Sequence, residues 1–219
     1  MIKAQLAAIR SSLPATTALI AVSKTHPIER IMEAYEAGQR DFGENKVQEL
    51  VEKYEALPKD IRWHMIGHLQ SNKVKYIAPF VHLIHGVDSF NLLKEINKQG
   101  QKNGRRISCL LQFHIAQEDT KFGLSLEEAT AFITGPEFSL LDHVRICGVM
   151  GMATFTENTA QIRSEFQSLH RIFHALKSTH FSSTTEFKEI SMGMSDDYPI
   201  AIEEGSTLIR VGSKIFGRR

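Results

Sequence analysis

Lys24 stands where an apolar run, Ala18-Leu19-Ile20-Ala21-Val22-Ser23, breaks into Thr25-His26-Pro27. A short β-capable run closed by a turn signal reads as a buried strand. A lysine at the lip of such a strand can point its amine into a cavity with apolar walls. Desolvation there disfavours the ammonium and lowers its pKa, which suits an amine that condenses with a carbonyl. Water satisfies a lysine at a strand end equally well. The position gains chemical meaning only from what is placed beside it.

Two segments far along the chain carry anion-binding chemistry. Ser191-Met192-Gly193-Met194-Ser195-Asp196-Asp197-Tyr198-Pro199 reads as the turn after a late strand, leading into a helix. Gly193 gives that turn its backbone freedom, and the amides of Met194, Ser195 and Asp196 fall among the donors that a starting helix leaves open. Such a place attracts anions, and Ser195 adds a hydroxyl. Arg210-Val211-Gly212-Ser213 closes the last strand with a second Gly/Ser turn and another hydroxyl donor. Asp196 and Asp197 would repel a phosphate, so they are expected to cap the following helix with their side chains turned away. Arg210, on a strand beside the cradle, can point inward, where a guanidinium needs an anion, a carboxylate or an acceptor nitrogen.

The elements that must position these residues alternate from end to end. Strand-like segments run over Leu19 to Val22, Asp41 to Gly43, Trp63 to Ile66, His82 to Val87, Ile107 to His114, Val144 to Met150, Glu189 to Met192 and Thr207 to Val211. Helical patterns lie between them at Ile28 to Ala37, Val47 to Leu57, Ser89 to Lys98, Leu126 to Ile133 and Thr159 to Ser178, with a further helix at Met1 to Ser12. Such alternation indicates βαβ units and a parallel sheet. About eight repeats in a chain a little under ~250 residues fit an α/β fold of the (β/α)8 TIM-barrel type with an extra N-terminal helix. An open doubly wound sheet is the rival, weakened by the absence of Gly-x-Gly-x-x-Gly after an early strand. Residues 1–219 contain no low-complexity linker and read as a single domain. In a barrel the loops after strands seven and eight are the usual phosphate place, and strand one is their neighbour around the closed sheet.

Composition removes several classes of function. The 219 residues are 42% hydrophobic and 23% charged, with 26 basic against 25 acidic side chains, so no strong field points to nucleic acid or an anionic membrane. No apolar run has the length needed to cross a bilayer, and Met1 to Arg10 lacks the core of a signal peptide, so a cytoplasmic protein is expected. Cys109 and Cys147 lie in apolar runs without CxxC spacing and read as small buried hydrophobes. Among ten histidines, His170 and His174 share a helix face without an acidic third ligand, and neither His64 with His68 nor His82 with His85 makes a chelate, so no metal is expected. Lys121 reads as a loop lysine on the functional rim.

Taken in order, Ala21-Val22-Ser23-Lys24, Phe42-Gly43-Glu44-Asn45, Trp63-His64-Met65-Ile66-Gly67-His68-Leu69-Gln70-Ser71-Asn72-Lys73, Ser191-Met192-Gly193-Met194-Ser195-Asp196-Asp197 and Arg210-Val211-Gly212-Ser213-Lys214-Ile215-Phe216-Gly217 closely resemble the motifs of the pyridoxal phosphate homeostasis proteins. These are single-domain relatives of the alanine racemase barrel, and the resemblance covers nearly the whole chain. It implies that Lys24 forms the Schiff base with pyridoxal 5'-phosphate and that Met194, Ser195, Gly212 and Ser213 hold the phosphate. It implies further that Arg210 faces the pyridine nitrogen, that Asn45 lies near the ring and its phenolic oxygen, and that Met152 and Ala153 line the barrel mouth. At His68 relatives commonly carry proline.

The resemblance also bears on what such a site can do. A cationic arginine at the ring nitrogen disfavours a protonated pyridine and weakens carbanion stabilisation. Racemisation needs acid/base groups on both faces of the α-carbon. In alanine racemases a tyrosine from a further domain serves the second face, and here the chain ends at Arg219 directly after the last motif. The four tyrosines Tyr35, Tyr54, Tyr76 and Tyr198 read as helix-surface or helix-start residues. The expected role is therefore buffering and delivery of the cofactor, with apo-enzymes as recipients, little or no turnover, and a monomeric state. An amino-acid racemase is the alternative, and a Schiff-base aldolase acting on sugar phosphates is a third reading that the two Gly/Ser turns serve equally well.

Overall fold

The computed structural model describes residues 1–117 and 122–217. Eight parallel strands close into a barrel in chain order: β1 (Ala18–Val22), β2 (Asp41–Glu44), β3 (Arg62–Met65), β4 (Leu83–Val87), β5 (Ile107–Gln112), β6 (Val144–Met150), β7 (Glu189–Ser191) and β8 (Leu208–Val211). Around them run α1 (Ile2–Ser11), α2 (Ile28–Glu36), α3 (Val47–Ala56), α4 (Val74–Ile77), α5 (Phe90–Lys102), α6 (Leu126–Ile133), α7 (Thr159–Thr179), α8 (Tyr198–Glu203) and α9 (Ser213–Phe216). The barrel expected from the alternation is the one observed, and strand ends fall within about two residues of the expected ones. The one-turn helices α4 and α9 had no counterpart in the sequence reading. A single turn shows no helical period.

The strands are buried on both faces, as a sheet covered by crossover helices must be. Outward side chains such as Phe42, Trp63, Met65 and Ile209 join the large apolar layer beneath the helices. That layer is fed by helical stripes, for example Leu92, Leu93 and Ile96 on α5, whose start is capped by Ser89 accepting from the Leu92 amide at 3.3 Å. Inward side chains form a second, smaller apolar cluster of Ile20, Leu83, Leu110, Met150 and Leu208. β1 closes the barrel by pairing with β8 from Ala18↔Leu208 to Ala21↔Val211. This pairing sets the end of strand one beside the end of strand eight. Lys24 and the Arg210–Ser213 segment therefore meet at the carboxyl rim.

Candidate functional site

Lys24 follows β1 and is half-buried. The chain turns there at Thr25, a non-glycine residue with φ 64°, whose amide donates to Glu49 Oε1. Beneath the turn lies a buried ionic network. Ser23 Oγ donates to Glu44 Oε1 at 2.6 Å, and Lys53 Nζ donates to Glu44 Oε1 at 2.8 Å, Glu49 Oε1 at 2.6 Å and the Ser23 carbonyl at 2.8 Å. Burial pushes the Glu44 carboxyl up to about 6, with Lys53 and Ser23 only partly opposing it. The network ties the ends of β1 and β2 to α3 and fixes where Lys24 leaves the sheet.

The two Gly/Ser turns form one unit, since the Gly212 amide donates to Ser195 Oγ at 3.2 Å. Gly193 has φ +94°, and a Cβ there would lie 2.6 Å from Ala201 Cβ, so only glycine fits this turn. Its carbonyl accepts from the Arg210 amide at 2.9 Å and joins the seventh and eighth strands at the rim. The expectation for the aspartates is corrected here. α8 begins at Tyr198, so Asp197 sits inside the turn, where its Oδ1 accepts from the Met194 amide at 2.5 Å. Both aspartates line the cavity, and Asp197 is buried. The negative charge is tolerable because Arg210 faces it.

Arg210 is buried in the barrel, donating from Nη1 to Ser191 Oγ at 2.6 Å and from Nη2 to the Gly151 carbonyl at 3.3 Å. Desolvation pulls its pKa down to about 10, against the supporting charge of Asp197. It is a cation at neutral pH.

All seven residues singled out from the sequence line one cavity of about 640 Å³: Lys24, Asn45, Met194, Ser195, Arg210, Gly212 and Ser213. That volume suits a small cofactor. Val22, Ile66, Met152, Ala153 and Ile162 supply its apolar walls. His68 lies on the rim, stacked on Phe122 with centroids 4.5 Å apart and bonded through Nδ1 to Asp88 Oδ2 at 3.0 Å. Lys121 lies outside the described residues.

Several residues of the site were not picked out in the sequence. Besides Glu44, Glu49 and Lys53, buried Glu165 on α7 accepts from the Thr154 amide at 2.6 Å and the Thr154 hydroxyl at 2.7 Å, fixing the wall formed by the loop after β6. Inside the barrel, His64 Nδ1 lies 3.0 Å from His85 Nε2, and His85 Nδ1 lies 2.8 Å from Ser191 Oγ. The signal available was a polar residue at an inward, period-two position of a strand. Asp41, His64 and His82 gather their ligand-type atoms within 4.8 Å at the opposite rim. The Arg62 guanidinium grips both Asp41 oxygens there, at 2.7 and 2.5 Å, and supplies the countercharge. His170 and His174 meet Nε2 to Nε2 at 3.1 Å on α7.

The model of the alanine racemase N-terminal domain matches residues 1–219. A pyridoxal phosphate homeostasis protein of Aquifex aeolicus (strain VF5) is 39% identical over 203 residues, covering 92% of this chain and 86% of the relative. One from Haemophilus influenzae is 37% identical over 207 residues, covering 93% of this chain and 86% of the relative. Among solved structures, PipY of Synechococcus elongatus PCC7942 with PLP bound is similar at TM-score 0.89 and 38% identity, covering 99% of this chain and 100% of that one. Without PLP the same protein gives TM-score 0.93 at 38% identity, with coverage of 99% and 100%. Alanine racemase from Bartonella henselae shares the fold at TM-score 0.73 and 15% identity, covering 100% of this chain and 62% of that one.

Proposed function

The chain belongs to the alanine racemase N-terminal domain family, among the pyridoxal phosphate homeostasis proteins, and from that premise we propose that it holds pyridoxal 5'-phosphate on Lys24 and buffers and delivers it within the cell. One observation carries the reading: residues from four separate stretches of chain, chosen for the chemistry of this cofactor, line a single cavity. The donor set fits the group, with an amine, paired hydroxyls and a buried cation placed around apolar walls. Bound there, the cofactor supplies an aldehyde for exchange with amines and a ring that withdraws electrons.

The chain's own residues set the limits of that chemistry. Ser195 and Ser213, with the Gly212 turn, would hold the phosphate, and the bond between Gly212 and Ser195 makes the two turns move together. Met194 would contribute through the turn it shapes, its amide being committed to Asp197. Asn45 would lie near the ring and its phenolic oxygen. Arg210, cationic at neutral pH, would face the ring nitrogen and keep it unprotonated, which weakens electron withdrawal. Among the described residues lining the cavity there is no tyrosine. Among the described residues the cavity thus has one lysine amine, Lys24, and lacks the tyrosine that serves as the second proton carrier in alanine racemases. We therefore favour a carrier with little or no turnover over a racemase.

On the same reading the protein acts as a monomer in the cytoplasm and hands its cofactor to apo-enzymes that need it. Cys109 and Cys147 are free thiols, and no helix among the described residues is long and apolar enough to cross a membrane. The test is direct. Loaded protein should show a visible band that borohydride bleaches, and peptide mapping should find a pyridoxyl group on Lys24. An adduct elsewhere, or none, ends the proposal. Incubation of loaded protein with L-alanine should leave the D-enantiomer undetected, and sustained D-alanine formation would establish the racemase instead.

A further inference from the structure

The polar groups inside the barrel can be assigned donor by donor. Arginine has only donors, so Ser191 Oγ accepts from Arg210 Nη1 at 2.6 Å and keeps its own proton for another partner. His85 Nδ1, 2.8 Å away, takes that proton as an acceptor, which puts the hydrogen of His85 on Nε2. Nε2 faces His64 Nδ1 at 3.0 Å, so His64 accepts there and carries its hydrogen on Nε2. That N–H meets Asp41 Oδ1 at 3.1 Å, and Asp41 is gripped by Arg62. Every donor along this path finds an acceptor. The reverse polarity strips the Ser191 proton of its His85 partner and, with both rings neutral, sets a bare His64 nitrogen against a carboxylate.

Ser191 and His85 are wholly buried and His64 nearly so, and an unmade bond in such a place costs more than a made one contributes. The path begins at the first residue of β2 and ends at a guanidinium that lines the cavity. It spans the barrel from one rim to the other. We propose that His64, His85 and Ser191 are positioning residues for the cofactor site, forming a one-way hydrogen-bonded relay through which Asp41 at the far rim fixes the Arg210 guanidinium. The proposal deepens the reading of the cavity as a pyridoxal phosphate site and rests on it.

The titratable and charged groups that act on His82 and His85 come from five of the eight strands. Asp41 and Arg62 stand at the starts of β2 and β3, His82 just ahead of β4, Arg105 ahead of β5 and Arg210 on β8. Burial first, then the charges of His64, Arg210 and His82, holds His85 well below its ordinary value. Burial and His64 bring His82 down to about 4. His85 is therefore a neutral ring at neutral pH, able to accept from Ser191. A proton forced onto the His64–His85 pair would turn His85 Nδ1 into a donor and drive the Ser191 hydroxyl away from it.

Two measurements decide the matter. In 15N spectra of the unloaded protein at neutral pH, the His64 and His85 rings should both carry hydrogen on Nε2. Hydrogen on Nδ1 of either ring overturns the relay. In the loaded protein, His64→Leu should weaken retention of pyridoxal 5'-phosphate about two- to tenfold and shift its visible band, the size expected for one net hydrogen bond. His64→Gln, whose carbonyl can accept from His85 while its amide donates to Asp41, should restore both. Ser191→Ala, a smaller change that serves if the leucine variant does not fold, should match His64→Leu. Neither should add to Arg210→Met. Equal behaviour of the leucine and glutamine variants would refute positioning. A wild-type chain that takes up no cofactor would sink the binding reading alone, and the ring tautomers would still test the relay.

Discussion

The barrel has two interiors that differ in kind. Between sheet and helices the packing is apolar, with Phe42, Trp63 and Phe166 wholly or almost wholly buried. Inside the sheet a small apolar cluster shares the space with His64, His85, Ser191 and Arg210, all nearly inaccessible. Apolar burial is non-directional and tolerates many arrangements, whereas a buried polar path tolerates one. The outer layer therefore sets stability, and the inner one sets the geometry that reaches the cavity. Each prediction below attacks one side of that division.

The largest effect is expected at the seam where the two interiors meet. β5 and β6 slip register between Cys109↔Ile146 and Leu110↔Gly148. Gly148 has φ +151°, and a Cβ there would stand 1.8 Å from the Glu189 carbonyl oxygen. Gly148→Ala must part β6 from β7, so a loss above ~4 kcal/mol is expected in denaturant titration, at the extreme of single substitutions. A variant of unchanged stability would mean that the bulge does not govern closure. Next comes the outer layer itself. Phe42→Ala should cost ~3–5 kcal/mol and leave cofactor retention within about twofold in the cold, because Phe42 lies on the far side of the sheet from the cavity. Retention falling in step with stability would erase the distinction between the two layers.

A smaller effect is expected at Glu44, which faces outward yet is ionisable. Its carboxyl titrates at about 6 in the folded chain against a usual 4.5. A raised carboxyl pKa favours the folded state while the group is protonated, so this contribution is fully present below about 4.5 and is lost as pH rises through about 6. The difference of 1.5 units corresponds to ~2 kcal/mol. Glu44→Gln keeps an acceptor for Ser23 and Lys53 without the charge. Its stability should gain on the wild type by up to ~2 kcal/mol between pH 4.5 and 7 in thermal melts. A constant difference across that range would show that Lys53 already neutralises the group.

The division also explains what the amino-acid sequence disclosed. The barrel was legible because strands buried on both faces are short apolar runs and the helices between them carry apolar stripes, as at Leu92, Leu93 and Ile96. The cradle was legible because Gly193, Ser195, Gly212 and Ser213 are turn residues whose chemistry is local. What escaped notice was non-local. Lys53 reads as one more surface lysine on α3 until the fold sets it against Glu44 and Ser23. His64 and His85 lie 21 residues apart, and His85 and Ser191 lie 106 apart; their bonds exist only once the barrel closes. Asp197 was misjudged because, although it stands at the N-cap of α8, its carboxylate accepts from the Met194 amide behind it instead of from the amides of the helix ahead.

Arg210→Met should give the smallest change in stability and the most informative one. The wild-type guanidinium is held out of water at a cost visible in its lowered pKa. A methionine of similar length removes the charge, keeps much of the volume and leaves the Ser191 hydroxyl bonded to His85. Replacing a buried ion with an apolar chain is often neutral or mildly stabilising, so the change should lie within ~1.5 kcal/mol of zero. Asp197 loses its facing charge, which works in the opposite direction and keeps the net effect small. The bound cofactor, by contrast, should respond plainly: with the cation gone the ring nitrogen can take a proton, and the visible band should shift and acquire a pH dependence that the wild type lacks. A destabilisation above ~3 kcal/mol with an unaltered spectrum would assign Arg210 to the fold rather than to the ring, since breaking a buried pair is what carries a penalty of that size. The inner layer would then be a second structural core, and the polar path through it would have no outlet at the cavity.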